Sequence, residues 1–352
     1  MDERDGGSTH EPAADGALPA GVAADLALRD AAGVAARVRA HLEDAIVGRD
    51  DVIELIVIAL LSGGHVLLED FPGSGKTVLA RALGDAIEAG AERDRIAPFR
   101  RIQFTPDLLP SDITGASVFD PDRNAFDFRP GPVFAHVVLA DEINRTSPKV
   151  QSALLEAMAE GQVTVDNVTH PLDELFLVVA TQNPLGLAGT FPLPAPQLDR
   201  FLFKIRMDHI SREAELEVLA TFRKRLRRRS PDLARVPGDE LLRSRRSIGE
   251  RCVVSSSIQA CLIDIARTVR ADHRVAQGIS TRALVQAMPA LQSRAVLRGR
   301  SYVSTEDLDS LVVPLFAHRL ALAPGVADPV PVLRDSAVGP LEKAARDTLR
   351  RG

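Results

Sequence analysis

Five apolar runs punctuate the first two thirds of the chain: HVLLED (65–70), FRRIQF (99–104), HVVLADE (136–142), LFLVVATQN (175–183) and RFLFKIRM (200–207). Most are continuous in apolarity rather than alternating, as parallel strands covered on both faces should be. Between the third and fourth lies SPKVQSALLEAMAEG, in which Val150, Ala153, Leu154, Ala157 and Met158 share one helical face. Ser147 suits its N-cap, Pro148 its first helical position and Gly161 its C-terminal exit. The alternation of strand and helix predicts an α/β fold: a parallel five-stranded sheet flanked by helices and joined by right-handed crossovers.

After about residue 208 the strand pattern fades and helices dominate. SREAELEVLATFRKRLRRR is acidic at its start and basic at its end, which complements a helix dipole. That account explains the basic run Arg223 to Arg229 without a ligand, although nucleic acid is the other reading. SYVSTEDLDSLVVPLF carries a capping box from Ser304 to Asp307. The predicted organisation is a disordered tail over 1–28, an α/β core over 29–207 and a small all-helical domain over 208–352. Within the core, ASVFD and AFDFR flank an Asp-Arg-Asn turn and predict a hairpin insert near 104–132. It carries Phe119, Phe126 and Phe128, which either pack locally or meet a partner.

Composition narrows the function. The formal net charge of −5 gives no general attraction for nucleic acid, and with 4% aromatics, no Trp and one Tyr, base stacking is disfavoured. Cys252 and Cys261 are too few and too far apart for a metal knuckle or a disulfide framework, and read as buried thiols in a reducing compartment. No run reaches membrane-spanning length and the N-terminus does not resemble a secretory signal, so a cytoplasmic protein is expected.

The chemistry is concentrated after the first strand. LEDFPGSGKT matches the phosphate-loop pattern except at its first position, where Asp70 replaces Gly. Gly73 and Gly75 can turn successive N–H groups inward at the start of a helix, forming an anion cradle. Lys76 would reach the β- and γ-phosphates, and the Thr77 hydroxyl would bind Mg²⁺. Only five lysines occur in the chain, so one placed between Gly-x-Gly and Thr is hard to ascribe to chance. The nucleotide-binding segment is assigned to Pro72, Gly73, Ser74, Gly75, Lys76, Thr77 and Val78. Further on, HVVLADEINR sets Asp141 and Glu142 at the C-terminal end of a strand, where α/β sheets assemble ligand sites. Asp141 would hold Mg²⁺ through water and Glu142 would orient and polarise the attacking water. A solvated acidic pair closing a strand is the alternative, which the phosphate loop disfavours.

The phosphate loop, DEINR, ATQNP and LPAPQLDRF, in this order and spacing, resemble the AAA+ ATPases of the MoxR family from about residue 40 to about 320. The resemblance implies a P-loop NTPase core followed by a helical lid, with ATP and Mg²⁺ as ligands. It implies that Asn183 in ATQNP is sensor 1, that Arg200 in QLDRF is an arginine finger reaching a neighbouring subunit's nucleotide, and that Arg282 in GISTRAL is sensor 2. It also implies that AIVGRDDVI (45–53) lines the adenine through Ile46 and Val47. Arg49 stands where the family more often has Gln, which leaves its role open. By the same resemblance the protein forms a homo-oligomeric, expectedly hexameric ring and remodels protein clients, with a von Willebrand factor A-type domain protein as a candidate partner and the insert hairpin as a contact.

Two other functions compete. A DNA-dependent motor or transcriptional activator on the same ATPase core lacks support: there is no GAFTGA loop, no evident helix-turn-helix and no positive net charge. An ATP-sensing switch with little turnover is opposed by Glu142. Neither a Ser/His/Asp nucleophile pattern nor HExxH is present, which disfavours other hydrolyses.

Overall fold

The computed structural model describes residues 20–70, 73–88, 96–183, 189–227 and 233–349. All five expected strands form, and they join one parallel sheet in the order Phe203–Met207, Val66–Asp70, Leu177–Gln182, Ala135–Asp141, Ala97–Gln103. Ala135–Asp141 is buried along its whole length, which explains its unbroken apolarity.

Strand alternation divides the core into two layers. Val66, Leu68, Val137, Leu139, Val179 and Phe203 face a layer built by helices Ala20–Ala45, Asp50–Ser62 and Lys76–Asp85. Leu67, Val138, Ala140, Val178 and Ala180 face the opposite layer, where helix Pro148–Glu160 contributes Val150, Leu154, Leu155 and Met158. That helix starts at Pro148 and stops at Gly161 (φ 62°) as expected, but the Ser147 hydroxyl makes no capping hydrogen bond.

Two expectations change. The supposed tail over 1–28 ends earlier: a helix runs from Ala20, because Leu28, Ala31, Val34, Ala35, Val38 and Leu42 form a buried stripe and the alanines before it favour helix. Residues 1–19 lie outside the described residues. The domain beyond residue 208 is not purely helical. Val275–Gln277 pairs antiparallel with Ala321–Leu322, and Val236–Pro237 pairs with Ile87–Glu88 of the core; strands this short leave no periodicity to read. A second hairpin, Gln162–Val165 with Val168–Pro171, follows the crossover helix, turning on Asp166 (φ 50°) and Asn167 (φ 63°).

The insert forms as expected, Gly115–Asp120 against Ala125–Pro130. Its rings divide: Phe128 stacks on His170 of the second hairpin at 3.8 Å between centroids, whereas Phe119 and Phe126 pair with each other and stay exposed.

Five helices, Gly238–Arg251, Ser256–Ala271, Thr281–Leu297, Thr305–Phe316 and Pro329–Leu349, make up most of the remaining domain. The expected Ser304–Asp307 box is present and is tied into an ionic knot. Fully buried Asp307 accepts hydrogen bonds from Arg294 (2.6 Å), Arg300 (2.7 and 2.8 Å) and the Ser304 N–H (2.8 Å). Burial alone would raise its pKa, but these donors hold it below the usual carboxylate range. Cys252 and Cys261 are buried and free, and burial raises each thiol pKa to about 11. No described helix is long and apolar enough to cross a membrane.

Candidate nucleotide site

The strand Val66–Asp70 delivers the chain to helix Lys76–Asp85 through the glycine loop. Gly75 is the helix N-cap at φ 92°, a left-handed conformation that favours glycine, and no side chain caps the helix. The first N–H groups of the helix are therefore left for a ligand. The Ser74 hydroxyl oxygen is buried without a hydrogen-bond partner, a second unfilled polar position in the same loop. Pro72 lies outside the described residues.

Two cavities meet at this loop and share Gly73, Ser74, Gly75 and Val78. The polar one, about 390 Å³, is lined by residues Gly73, Ser74, Gly75, Lys76, Thr77 and Val78 together with Asp141, Glu142, Thr181, Gln182 and Asn183. Thus the loop, both acidic residues and Asn183 converge as the sequence predicts. The other, about 530 Å³, is bounded by Ile46, Val47 and Arg49 on one side and by Asp208, His209, Ile210, Val218 and Leu219 on the other. Its wall closes because Gly48 (φ 70°) lets helix Arg212–Arg227 approach; a Cβ there would lie 2.6 Å from the Ala214 Cβ. Arg49 is buried and its Nε has no hydrogen-bond partner.

The acidic pair is held by groups that the motif analysis does not name. Thr181, buried in the neighbouring strand, donates from its hydroxyl to Asp141 Oδ1 (2.7 Å) and accepts from the Glu142 N–H (2.8 Å). Glu142 itself sits at φ 57°, a strained conformation for a non-glycine residue. Arg101 donates to Asp141 Oδ2 from Nε (3.1 Å) and Nη2 (2.5 Å), and Gln103 donates to Glu142 Oε2 (3.0 Å). Arg145 lies 3.3 Å from the same Glu142 oxygen. A lone Thr in a buried apolar strand, and Arg and Gln two apart on one strand face, are the signals that could have pointed to these roles.

Two predicted residues do not line either cavity. Arg200 Nη1 donates to the Leu155 carbonyl (2.6 Å) on helix Pro148–Glu160. Arg282 is exposed at the start of helix Thr281–Leu297. The two occupy neighbouring segments, since the N-cap Ser280 donates to Asp199 (3.3 Å). Asp199 also faces Arg319 (3.6 Å), so it is not the partner of Arg200.

Comparison with known proteins settles which family builds this site. Residues 65–203 match the ATPase family associated with various cellular activities (AAA), and residues 267–335 match the AAA lid domain. The chain is 39% identical to the chaperone MoxR1 of Mycobacterium tuberculosis, over 79% of this chain and 73% of that one. The chain belongs to the MoxR family of AAA+ ATPases. Other MoxR-family relatives include the uncharacterized protein YeaC of Bacillus subtilis, 45% identical over 81% of this chain and 86% of YeaC, and protein MoxR of Paracoccus denitrificans, 30% identical over 81% and 88%. A crystal structure of a candidate ATPase from Cytophaga hutchinsonii superimposes with a TM-score of 0.78 at 32% identity, covering 90% of this chain and 96% of that one. This MoxR-family protein is an ATPase with a P-loop core and an AAA lid.

The residues present also fit a magnesium ion. Thr77 and Asp141 offer the oxygen donors that Mg²⁺ prefers, and both line the polar cavity beside the uncapped helix N-terminus. Among the described residues no group of three or more His, Cys, Asp and Glu is arranged to hold a metal. A divalent ion here would therefore complete its shell with phosphate oxygens and water.

Proposed function

We propose that this MoxR-family ATPase is a chaperone-like remodeller of protein clients that hydrolyses ATP at the interfaces of a ring. The observation that carries the reading is the convergence of Lys76, Thr77, Asp141 and Glu142 on one cavity beside an uncapped helix N-terminus. In this reading the triphosphate lies along the amides of residues 73–77, and the base enters the apolar cavity between Ile46, Val47 and Leu219. Lys76 offsets charge on the transferring phosphoryl group. Glu142 accepts the proton of the attacking water, while Asn183 orients that water. Thr77 and Asp141 would hold Mg²⁺, which when bound neutralises charge on the β- and γ-phosphates.

Arg200 and Arg282 complete the site from a second copy. Their absence from both cavity linings, and their neighbouring positions beside Asp199 and Ser280, support a joint action on an adjacent subunit's γ-phosphate. The exposed Phe119–Phe126 pair at the hairpin supports contact with a client. The printed name of the Mycobacterium relative, a chaperone, supports the same direction.

The test is Glu142→Gln. An amide cannot take the water's proton, so the variant is expected to bind ATP and not turn it over, trapping client complexes identifiable by mass spectrometry. Normal turnover would overturn the assignment of Glu142. Lys76→Ala is expected to lose nucleotide binding altogether, and retained affinity would overturn the loop assignment.

A further inference from the structure

The strand Ala97–Gln103 contributes nothing to the lining of the phosphate cavity, yet two of its side chains grip both carboxylates that do. Arg101 and Gln103 lie on one strand face, and Gln103 pairs in register with Asp141. Arg101 places two N–H groups on Asp141 Oδ2 and one on Gln103 Oε1 (2.5 Å), and Gln103 passes its amide N–H on to Glu142. Asp141 Oδ1 is taken by Thr181. Both oxygens of the carboxylate assigned to the metal are thus already hydrogen-bonded, and a full positive charge sits against one of them.

The geometry points to Arg101 as a built-in counter-cation of Asp141, one that opposes Mg²⁺ and sets how much ion the site needs to load. The proposal rests on the nucleotide reading above. Asp141 is largely buried, with its side chain 12% exposed, so the guanidinium charge is only partly screened there. A lone divalent ion would have to displace or tolerate that charge for a single carboxylate and a hydroxyl. An ion arriving with a triphosphate gains phosphate ligands that repay the competition. Arg101 therefore favours loading of ion and nucleotide together over loading of the ion alone. The half-exposed guanidinium, 47% accessible, limits the effect to a moderate one.

The experiment measures the affinity of full-length protein for a fluorescent, non-hydrolysable ATP analogue in EDTA and at saturating Mg²⁺. The ratio of the two dissociation constants is the coupling between ion and nucleotide. Arg101→Gln, which lets the lone ion bind more easily, is expected to lower that ratio, Kd in EDTA over Kd in Mg²⁺, roughly three- to tenfold. Arg101→Lys, which keeps the charge but not the two-pronged contact, should fall between, and it carries the test if the glutamine variant does not fold. In an Asp141→Asn background the substitution should leave the ratio unchanged. An unchanged or larger ratio in Arg101→Gln overturns the proposal while leaving the nucleotide reading standing, since binding in EDTA still reports the loop. If the wild-type protein fails to bind the analogue in either buffer, both fall.

Discussion

Replacing Thr181 by Val keeps the shape of the side chain and removes one hydroxyl, which makes it a sharp test of how the acidic pair is held. That hydroxyl donates to Asp141 at 2.7 Å and accepts the Glu142 N–H at 2.8 Å, in a side chain only 1% exposed. A hydrogen bond to a charged group contributes about 1.5–3 kcal/mol, and an orphaned buried N–H costs about 1–3 kcal/mol. The two are not fully additive, because the carboxylate keeps its Arg101 contacts, so about 3 kcal/mol of destabilisation is expected. For a chain of this size that corresponds to a fall in melting temperature of roughly 4 °C. Glu142 is strained at φ 57° and loses the contact that pins its backbone, so its carboxylate should drift from the water it orients. A drift of about 1 Å is enough to cost on the order of 100-fold in rate. Calorimetry and steady-state phosphate release, each on Thr181→Val and Thr181→Ser, read the two effects. The valine variant should turn over about 10- to 100-fold more slowly with nucleotide affinity within about threefold of wild type, and serine should restore most of both. Turnover within twofold of wild type in Thr181→Val would refute the reasoning.

Other outcomes follow from the same contacts. Arg200→Ala should bind nucleotide normally and lose turnover, and mixing it with Lys76→Ala should restore part of the activity through hybrid interfaces; failure of the mixture rules out action in trans. His65 is buried, and burial lowers its pKa to about 4, while its Nδ1 accepts the Val178 N–H and its Nε2 donates to the Met158 carbonyl. The unfolded chain therefore takes up this proton first, near the ordinary pKa of 6.5, and the associated stability is lost as pH falls from about 6.5 to about 4. Urea titrations across that window should show a shallower pH slope in His65→Gln, whose amide can make both contacts. Asp307→Asn removes the charge facing two arginines and should lower stability by about 3 kcal/mol in chemical denaturation, without altering nucleotide affinity.

What could be read from the chain, and what could not, divides along physical lines. The five core strands announce themselves because parallel strands buried on both faces must be apolar throughout, and LVVAT at residues 177–181 leaves little else to be. The phosphate loop is legible because its glycines meet a backbone demand that few other residues satisfy. Thr181, Arg101 and Gln103 were not legible: their importance lies in which neighbour the sheet order sets beside them, and order is not a local property. The apolar cavity was half legible. Ile46 and Val47 stand in a recognisable segment, whereas Val218 and Leu219 belong to a helix whose approach depends on Gly48, far earlier in the chain, and Ile210 to the segment leading into that helix. The early start of the first helix was missed because an alanine-rich stretch reads equally as tail or as helix until its partner is known. Short pairs such as Val275–Gln277 with Ala321–Leu322 lie below the length at which any period can be detected.

The loop that carries Arg200 is fastened at both sides. Asp199 is shared by Ser280 and Arg319, and the Phe201 carbonyl accepts from Arg319 and lies 3.0 Å from His318 Nε2. The residues on either side of Arg200 are thus anchored to the helical layer that bears Arg282, while Arg200 itself is held by the Leu155 carbonyl of the core helix Pro148–Glu160. Any tilt of that layer therefore pulls on both flanks of Arg200 while the core helix holds its guanidinium, so the movement is felt first as tension on the Leu155 contact.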